Sequence, residues 1–167
     1  MSGNGRYSSD RNQELPFNLQ LRLASQRRLQ LHCGVWGCGY PLYYDTFFHD
    51  LRDFCRGEVE TARAAGLGVW SADASTSGFA WSNDLKNLPP IFPKLWRRIQ
   101  KYIGSETFFD EDDPAANLVP YIKSRRDERV LTLGDSRLTG FDNLVDTNGD
   151  QVKLLADPNE MVVISEK

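Results

Sequence analysis

The clearest pattern along the chain is an apolar stripe between residues 45 and 66. Phe47, Leu51, Phe54 or Cys55, Val59 and Ala62 recur at three- and four-residue steps, which draws one face of an amphipathic helix. Asp50, Asp53, Glu58 and Glu60, with Arg52, Arg56 and Arg63 among them, fall mostly off that stripe. Asp45 or Thr46 supplies an N-terminal cap, and Ala64-Ala65-Gly66 ends the helix where a left-handed residue is wanted. Leu67, Val69 and Trp70 then return the chain to a core. Before this helix, residues 1–14 are polar and Ser/Gly/Asn-rich and are expected to be disordered. Leu19, Leu21 and Leu23, then Leu29 and Leu31, alternate as two half-buried strands around the polar Gln26-Arg27-Arg28.

Beyond Trp70 the pattern changes. Residues 73–90 form a Ser/Ala/Asn-rich loop anchored by Phe79 and Trp81. Pro93 opens a second helix with Leu95, Trp96, Ile99, Tyr102 and Ile103 as its apolar face, and Gly104 closes it. A third helix is expected over 114–126, with Leu118, Val119 and Ile122 inward and Pro120 limiting its first turns. Residues 129–133 alternate as a strand, 144–155 read as a hairpin centred on Asn148-Gly149, and 161–164 form a last strand. The fold class is α+β, with 91–167 as a small ααβββ lobe.

The stretch Gly39-Tyr40-Pro41, followed by Glu60-Thr61-Ala62-Arg63-Ala64-Ala65-Gly66-Leu67-Gly68-Val69-Trp70, resembles the C-terminal helix of staphylococcal-nuclease-like (thermonuclease) proteins. The resemblance covers residues 39–72. It implies that 15–72, centred on the 45–66 helix, is the end of a barrel-plus-helix domain whose Trp packs back on the barrel. The family are Ca²⁺-dependent phosphodiesterases acting on DNA and RNA, so Ca²⁺ is the cofactor implied by resemblance, and none is evident otherwise. The family's catalytic Asp, Arg, Glu and second Arg lie in upstream stretches with no counterpart here. The two Asp-Thr pairs, Asp45-Thr46 and Asp146-Thr147, lack the preceding Asp-Gly. The resemblance therefore implies a truncated or divergent, nuclease-related protein, inactive alone, whose missing upstream domain is one expected partner. The alternative is a non-catalytic module that binds nucleic acid or protein.

Composition narrows the partners. The chain has 167 residues, 40% of them apolar, and a net charge of −3, so no overall basic field draws it to nucleic acid or to an anionic membrane. No apolar run approaches the length of a membrane span. The three cysteines, an odd number, argue against a disulfide framework, and with no signal-like apolar region at the N-terminus a cytoplasmic location is expected.

Local charge offers one nucleic-acid candidate. Lys94, Arg97, Arg98 and Lys101 place four cations along one short helix, followed by Lys123, Arg125, Arg126 and Arg129. A solvated helix face accounts for the same run. His32, Cys33, Cys38, His49 and Cys55 are the residues from which a zinc site could be assembled, but Cys-x₄-Cys has no second close pair. Asp146, Asn148 and Asp150 imitate a Ca²⁺ loop, yet Gln151 and Asp157 stand where that loop needs Gly and Glu. Asp110 to Asp113 is read as a solvated cap rather than a cation site. Tyr40, Tyr43, Tyr44, Phe47 and Phe48 are too clustered all to be core, so one or two are expected on a pocket or partner surface. With no barrel to cover the first helix, residues 1–70 are expected to melt with poor cooperativity unless a partner is bound.

Overall fold

A computed structural model describes residues 39–110, 112–125 and 129–164. The expectations for 1–14 and for the 15–38 strands lie outside these residues. The described chain is α+β. It runs β1 (Tyr43–Tyr44), α1 (His49–Ala64), β2 (Phe79–Ala80), α2 (Pro93–Ile103), α3 (Leu118–Ser124), β3 (Arg129–Thr132), β4 (Arg137–Gly140), β5 (Val145–Asn148), β6 (Gln151–Leu154) and β7 (Met161–Ile164). Short 3₁₀ turns at Gly68–Ser71, Leu85–Asn87, Phe141–Leu144 and Pro158–Glu160 join them. The strands make two sheets, ordered β1-β7-β3-β4 and β2-β6-β5.

The first helix begins later than its sequence suggests. Asp45 does not cap it, because the Asp45 N–H is given to the Val163 carbonyl at 3.0 Å and so continues the parallel β1–β7 pairing. Phe48 takes the cap position and offers no side-chain hydrogen bond. At the other end the expected stop holds. Gly66 has φ 60, Leu67 N–H reaches Ala62 O and Gly66 N–H reaches Arg63 O, both at 2.9 Å. That pair of bonds is the Schellman arrangement, in which glycine takes the left-handed position at least cost.

Leu51, Cys55, Val59 and Ala62 are buried as the stripe predicts, whereas Phe54 is 46% exposed and yields the inward place to Cys55. The inward face is covered by the chain's own C-terminal strands. Leu51 and Cys55 pack with Tyr43 and Val162, flanked by Phe47, Leu131 and Leu133, and Val59 and Ala62 pack with Trp70. This removes the premise for an uncooperative first half, since α1 has a partner surface within the described residues.

The larger core lies among α2, α3 and the strands. Leu95, Ile99 and Tyr102 recur on one side of α2 and are fully buried. Tyr102 contacts the Trp81, Phe109 and Tyr121 rings at centroid distances of 5.6, 5.5 and 5.5 Å. The third helix is shorter than 114–126, and Pro120 sits in its first turn, where its missing N–H has no helical acceptor to lose. The hairpin centre shifts by one residue. Asn148 pairs with Gln151, leaving Gly149 and Asp150 as the turn, and Gly149 carries the positive φ of 59 that a II′ turn needs in its first central place. This register sets Val145 opposite Leu154 with both buried.

Candidate functional site

The polar flank of α1 forms the densest network among the described residues. Arg52, Arg56 and Arg63 follow one another at four- and seven-residue steps, which places them along one side of the helix. That side meets the turn Asp157-Pro158-Asn159-Glu160 just before β7. Arg63 donates from Nη1 and Nη2 to the two Asp157 carboxylate oxygens at 2.5 and 2.8 Å. Its guanidinium also lies 4.5 Å from the Trp70 ring centre. Arg56 donates to Glu160 and lies 3.7 Å from Asp53.

Asn159, 1% exposed, is the centre of this seam. Its Nδ2 donates to Glu60 Oε1 at 2.8 Å and to the Arg56 carbonyl at 3.2 Å, while its Oδ1 accepts from Tyr43 Oη at 3.0 Å. Its own N–H is given to Asp157 Oδ1 at 2.8 Å, capping the 3₁₀ turn. Burial alone pushes the Asp157 carboxyl up. The Arg63 hydrogen bonds and charge, with the Asn159 N–H and the Arg56 charge, outweigh it and hold the carboxyl below its ordinary value. Burial raises the Tyr43 phenol, so it remains a neutral donor at any physiological pH. These groups tie α1 to the last strand; their donors and acceptors are largely spent on one another.

Arg52 is the exception in the row. It is 7% exposed and its Nη2 faces His49 Nδ1 at 2.7 Å, while its buried Nε, like that of Arg56, has no partner among the described residues.

The four cations singled out from the sequence do not share one open surface. Arg97 and Lys101 are exposed one turn apart, Lys94 is half-buried with Nζ 5.8 Å from the Phe141 ring centre, and Arg98 is 6% exposed. The reason lies in helix phase: Arg98 stands beside the fully buried stripe of Leu95, Ile99 and Tyr102. Lys123 is exposed, and Arg125 folds onto Tyr121, donating to its hydroxyl at 3.0 Å. Arg126 lies outside the described residues.

Of the metal candidates, Cys55 is buried in the α1 interface, where burial and Glu58 raise its thiol, and His49 faces Arg52. His32, Cys33 and Cys38 lie outside the described residues. Asp146 is paired across the hairpin with Lys153 at 3.4 Å. Asp110 accepts the Asp112 N–H at 3.0 Å in a local turn, and Asn117 rather than Asp113 precedes α3. Among the described residues no three His, Cys, Asp or Glu side chains gather as metal ligands would. No helix among them is long and apolar enough to cross a membrane.

The aromatic cluster divides. Tyr40 packs edge-on against Trp70 at 4.8 Å and donates to Asp73 at 2.7 Å, and Tyr43 is fully buried. Tyr44, Phe48 and Phe54 are 39%, 50% and 46% exposed. Tyr44 ends β1, Phe48 is the residue just before α1, and Phe54 lies in the second turn of α1. The seam was missed in the sequence, although the arginine spacing and the Asp-Pro-Asn turn were its available signals. No protein-family model, curated protein or solved structure matches this chain.

Proposed function

We propose that this chain is a non-catalytic interaction module, related to the C-terminal part of staphylococcal-nuclease-like proteins, that docks a protein partner through the β1–α1 aromatic surface. The observation that carries the reading is the exposure of Tyr44, Phe48 and Phe54 within eleven residues of sequence. Exposed large aromatics gathered in one region are what protein interfaces use as anchors. The Arg56 and Arg63 flank of α1 is committed to the seam, so the helix that carries Phe54 is held as a fixed platform. The relationship to the nuclease family draws support from the helix end. Gly66 and Gly68 both have positive φ, and Trp70 folds back onto Val59, Ala62 and Tyr40. Hydrolysis in that family needs Asp, Arg and Glu groups that this sequence does not carry, and the module supplies binding in their place.

A photo-reactive benzoyl-phenylalanine at position 54, compared with one at exposed Lys86, tests the surface in the cells that make the protein. The expected result is a discrete protein adduct at 54 that disappears in the Phe48→Ser background. Indistinguishable adducts from 54 and 86 would overturn the docking surface. Cleavage of DNA by the purified chain with Ca²⁺, abolished by chelator, would overturn its non-catalytic character.

A further inference from the structure

We propose that the outer face of the β5–β6 hairpin holds a small neutral polyol, a single sugar unit, in a cleft of about 200 Å³. Alternation along the strands builds its floor. Val152 and Leu154 on β6 are buried, and the alternating Gln151 and Lys153 are exposed. The register sets Asn148 opposite Gln151 and Asp146 opposite Lys153. Residues directly opposite one another share a face of the sheet, so these four polar side chains form one block. The wall of the cleft is Ser77-Gly78, just before β2, which pairs antiparallel with β6. Gly78 has φ 92, and a methyl group there would lie 3.6 Å from Lys153 Cβ. The chain thus runs beside Lys153 with no side chain of its own at that point.

The lining selects the ligand. Every side chain in the cleft is polar, and together they carry no net charge, because the Asp146 carboxylate lies 3.4 Å from the Lys153 ammonium. That pair disfavours a free cation or anion, either of which would meet a like charge beside its partner. A zwitterion would have to part the two groups. Hydroxyl groups need no such rearrangement, since each both donates and accepts. The cleft answers both roles: Asp146 accepts, Lys153 donates, and Ser77 with the Asn148 and Gln151 carboxamides can do either. Gln151 Nε2 donates to Asp150 at 3.2 Å, which orients its carboxamide. The volume is below the roughly 300–1,000 Å³ of sites for drug-sized ligands, which limits the occupant to one ring-sized unit. Its source is either a free monosaccharide or the terminal residue of a glycan.

This site is independent of the docking surface proposed above: it lies on the β2-β6-β5 sheet and shares no residue with β1 or α1. The test titrates glucose, galactose, mannose and N-acetylglucosamine, and the methyl glycoside of each, into the purified full chain, followed by saturation-transfer and ¹H–¹⁵N NMR. The expected result is saturable binding of at least one sugar that moves the Gly78 amide and the Asn148 and Gln151 carboxamide signals. Added salt should leave it unchanged, because the ligand is neutral. Asn148→Ala/Gln151→Ala should weaken binding tenfold or more, and Lys86→Gln, outside the cleft, should not. A methyl glycoside that binds as well as its parent sugar assigns the terminal unit of a glycan; a weaker one assigns the free sugar. If the double variant does not fold, Ser77→Leu serves, since Ser77 is exposed and the larger side chain would occupy the cleft, and the same weakening is expected. Absence of saturable binding to every sugar, unchanged binding in the variants, binding that falls steeply with salt, or tighter binding of glycine or inorganic phosphate would each overturn the site.

Discussion

Replacing Asn159 with alanine probes the seam where its bonds converge. The substitution removes three side-chain hydrogen bonds, to Glu60, the Arg56 carbonyl and Tyr43. These losses are unequal. The Glu60 side chain is 62% exposed and regains water, so little stability goes with that bond. Tyr43 is fully buried and its hydroxyl is left without an acceptor, which costs about 1–3 kcal/mol. With the carbonyl contact and the space vacated, the total is about 2–4 kcal/mol, a large share of a small domain's stability. Tyr43→Phe alone should cost about 1 kcal/mol, since one Asn159 acceptor loses its donor. In the Asn159→Ala background the same change should be close to neutral, because the hydroxyl it deletes already lacks a partner. Urea unfolding of the four proteins, read by circular dichroism, gives the coupling energy, expected at about 1 kcal/mol. Strictly additive effects, or a cost for Asn159→Ala below about 0.5 kcal/mol, would refute the claim that this residue holds the helix to the last strand.

Three further outcomes follow from the same geometry. Asp157 has its pKa depressed in the folded state, so its contribution is intact above the unfolded value of about 4 and lost as pH falls through the lower folded value. Acid titration of stability should therefore show a loss below about pH 4 that Asp157→Asn reduces. Arg98→Ala should destabilise by about 1–3 kcal/mol and Arg97→Ala by less than about 0.5 kcal/mol, despite their adjacency, because only the first is buried; denaturant midpoints separate them. Gly66→Ala should cost about 1 kcal/mol through its left-handed φ, although nothing within 4 Å would meet the new methyl group, and a melting comparison with Gly57→Ala inside the helix should show the opposite sign.

Periodicity made the three helices, the hairpin and the last strand legible. The spacing of Leu51, Cys55, Val59 and Ala62, and of Leu95, Ile99 and Tyr102, carries its own reading because burial repeats with the helical turn. Two-residue strands such as Tyr43–Tyr44 and Phe79–Ala80 are too short to show alternation, and they exist only through partners more than seventy residues away. That blindness had a larger consequence. Without β1–β7 pairing, α1 looked like a helix deprived of its core, when β7 supplies much of it. The seam was equally hidden, since Arg56 and Glu160 stand more than a hundred residues apart. Charge runs misled in the other direction: sequence adjacency groups Arg97 with Arg98, and a rotation of 100° per residue sends one to solvent and one inward. Among the aromatics, the sequence shows that too many are clustered to be core but not which rings remain outside.

Native-state hydrogen exchange tests most directly whether α1 and the C-terminal strands are one unit presenting a fixed surface. The amides of Cys55, Val59 and Ala62 in α1, and of Val162 and Val163 in β7, should open with free energies within about 1 kcal/mol of one another, at the global unfolding value. Exchange of the α1 amides at a free energy several kcal/mol below that of β7 would mean that the helix undocks by itself, and would contradict the account.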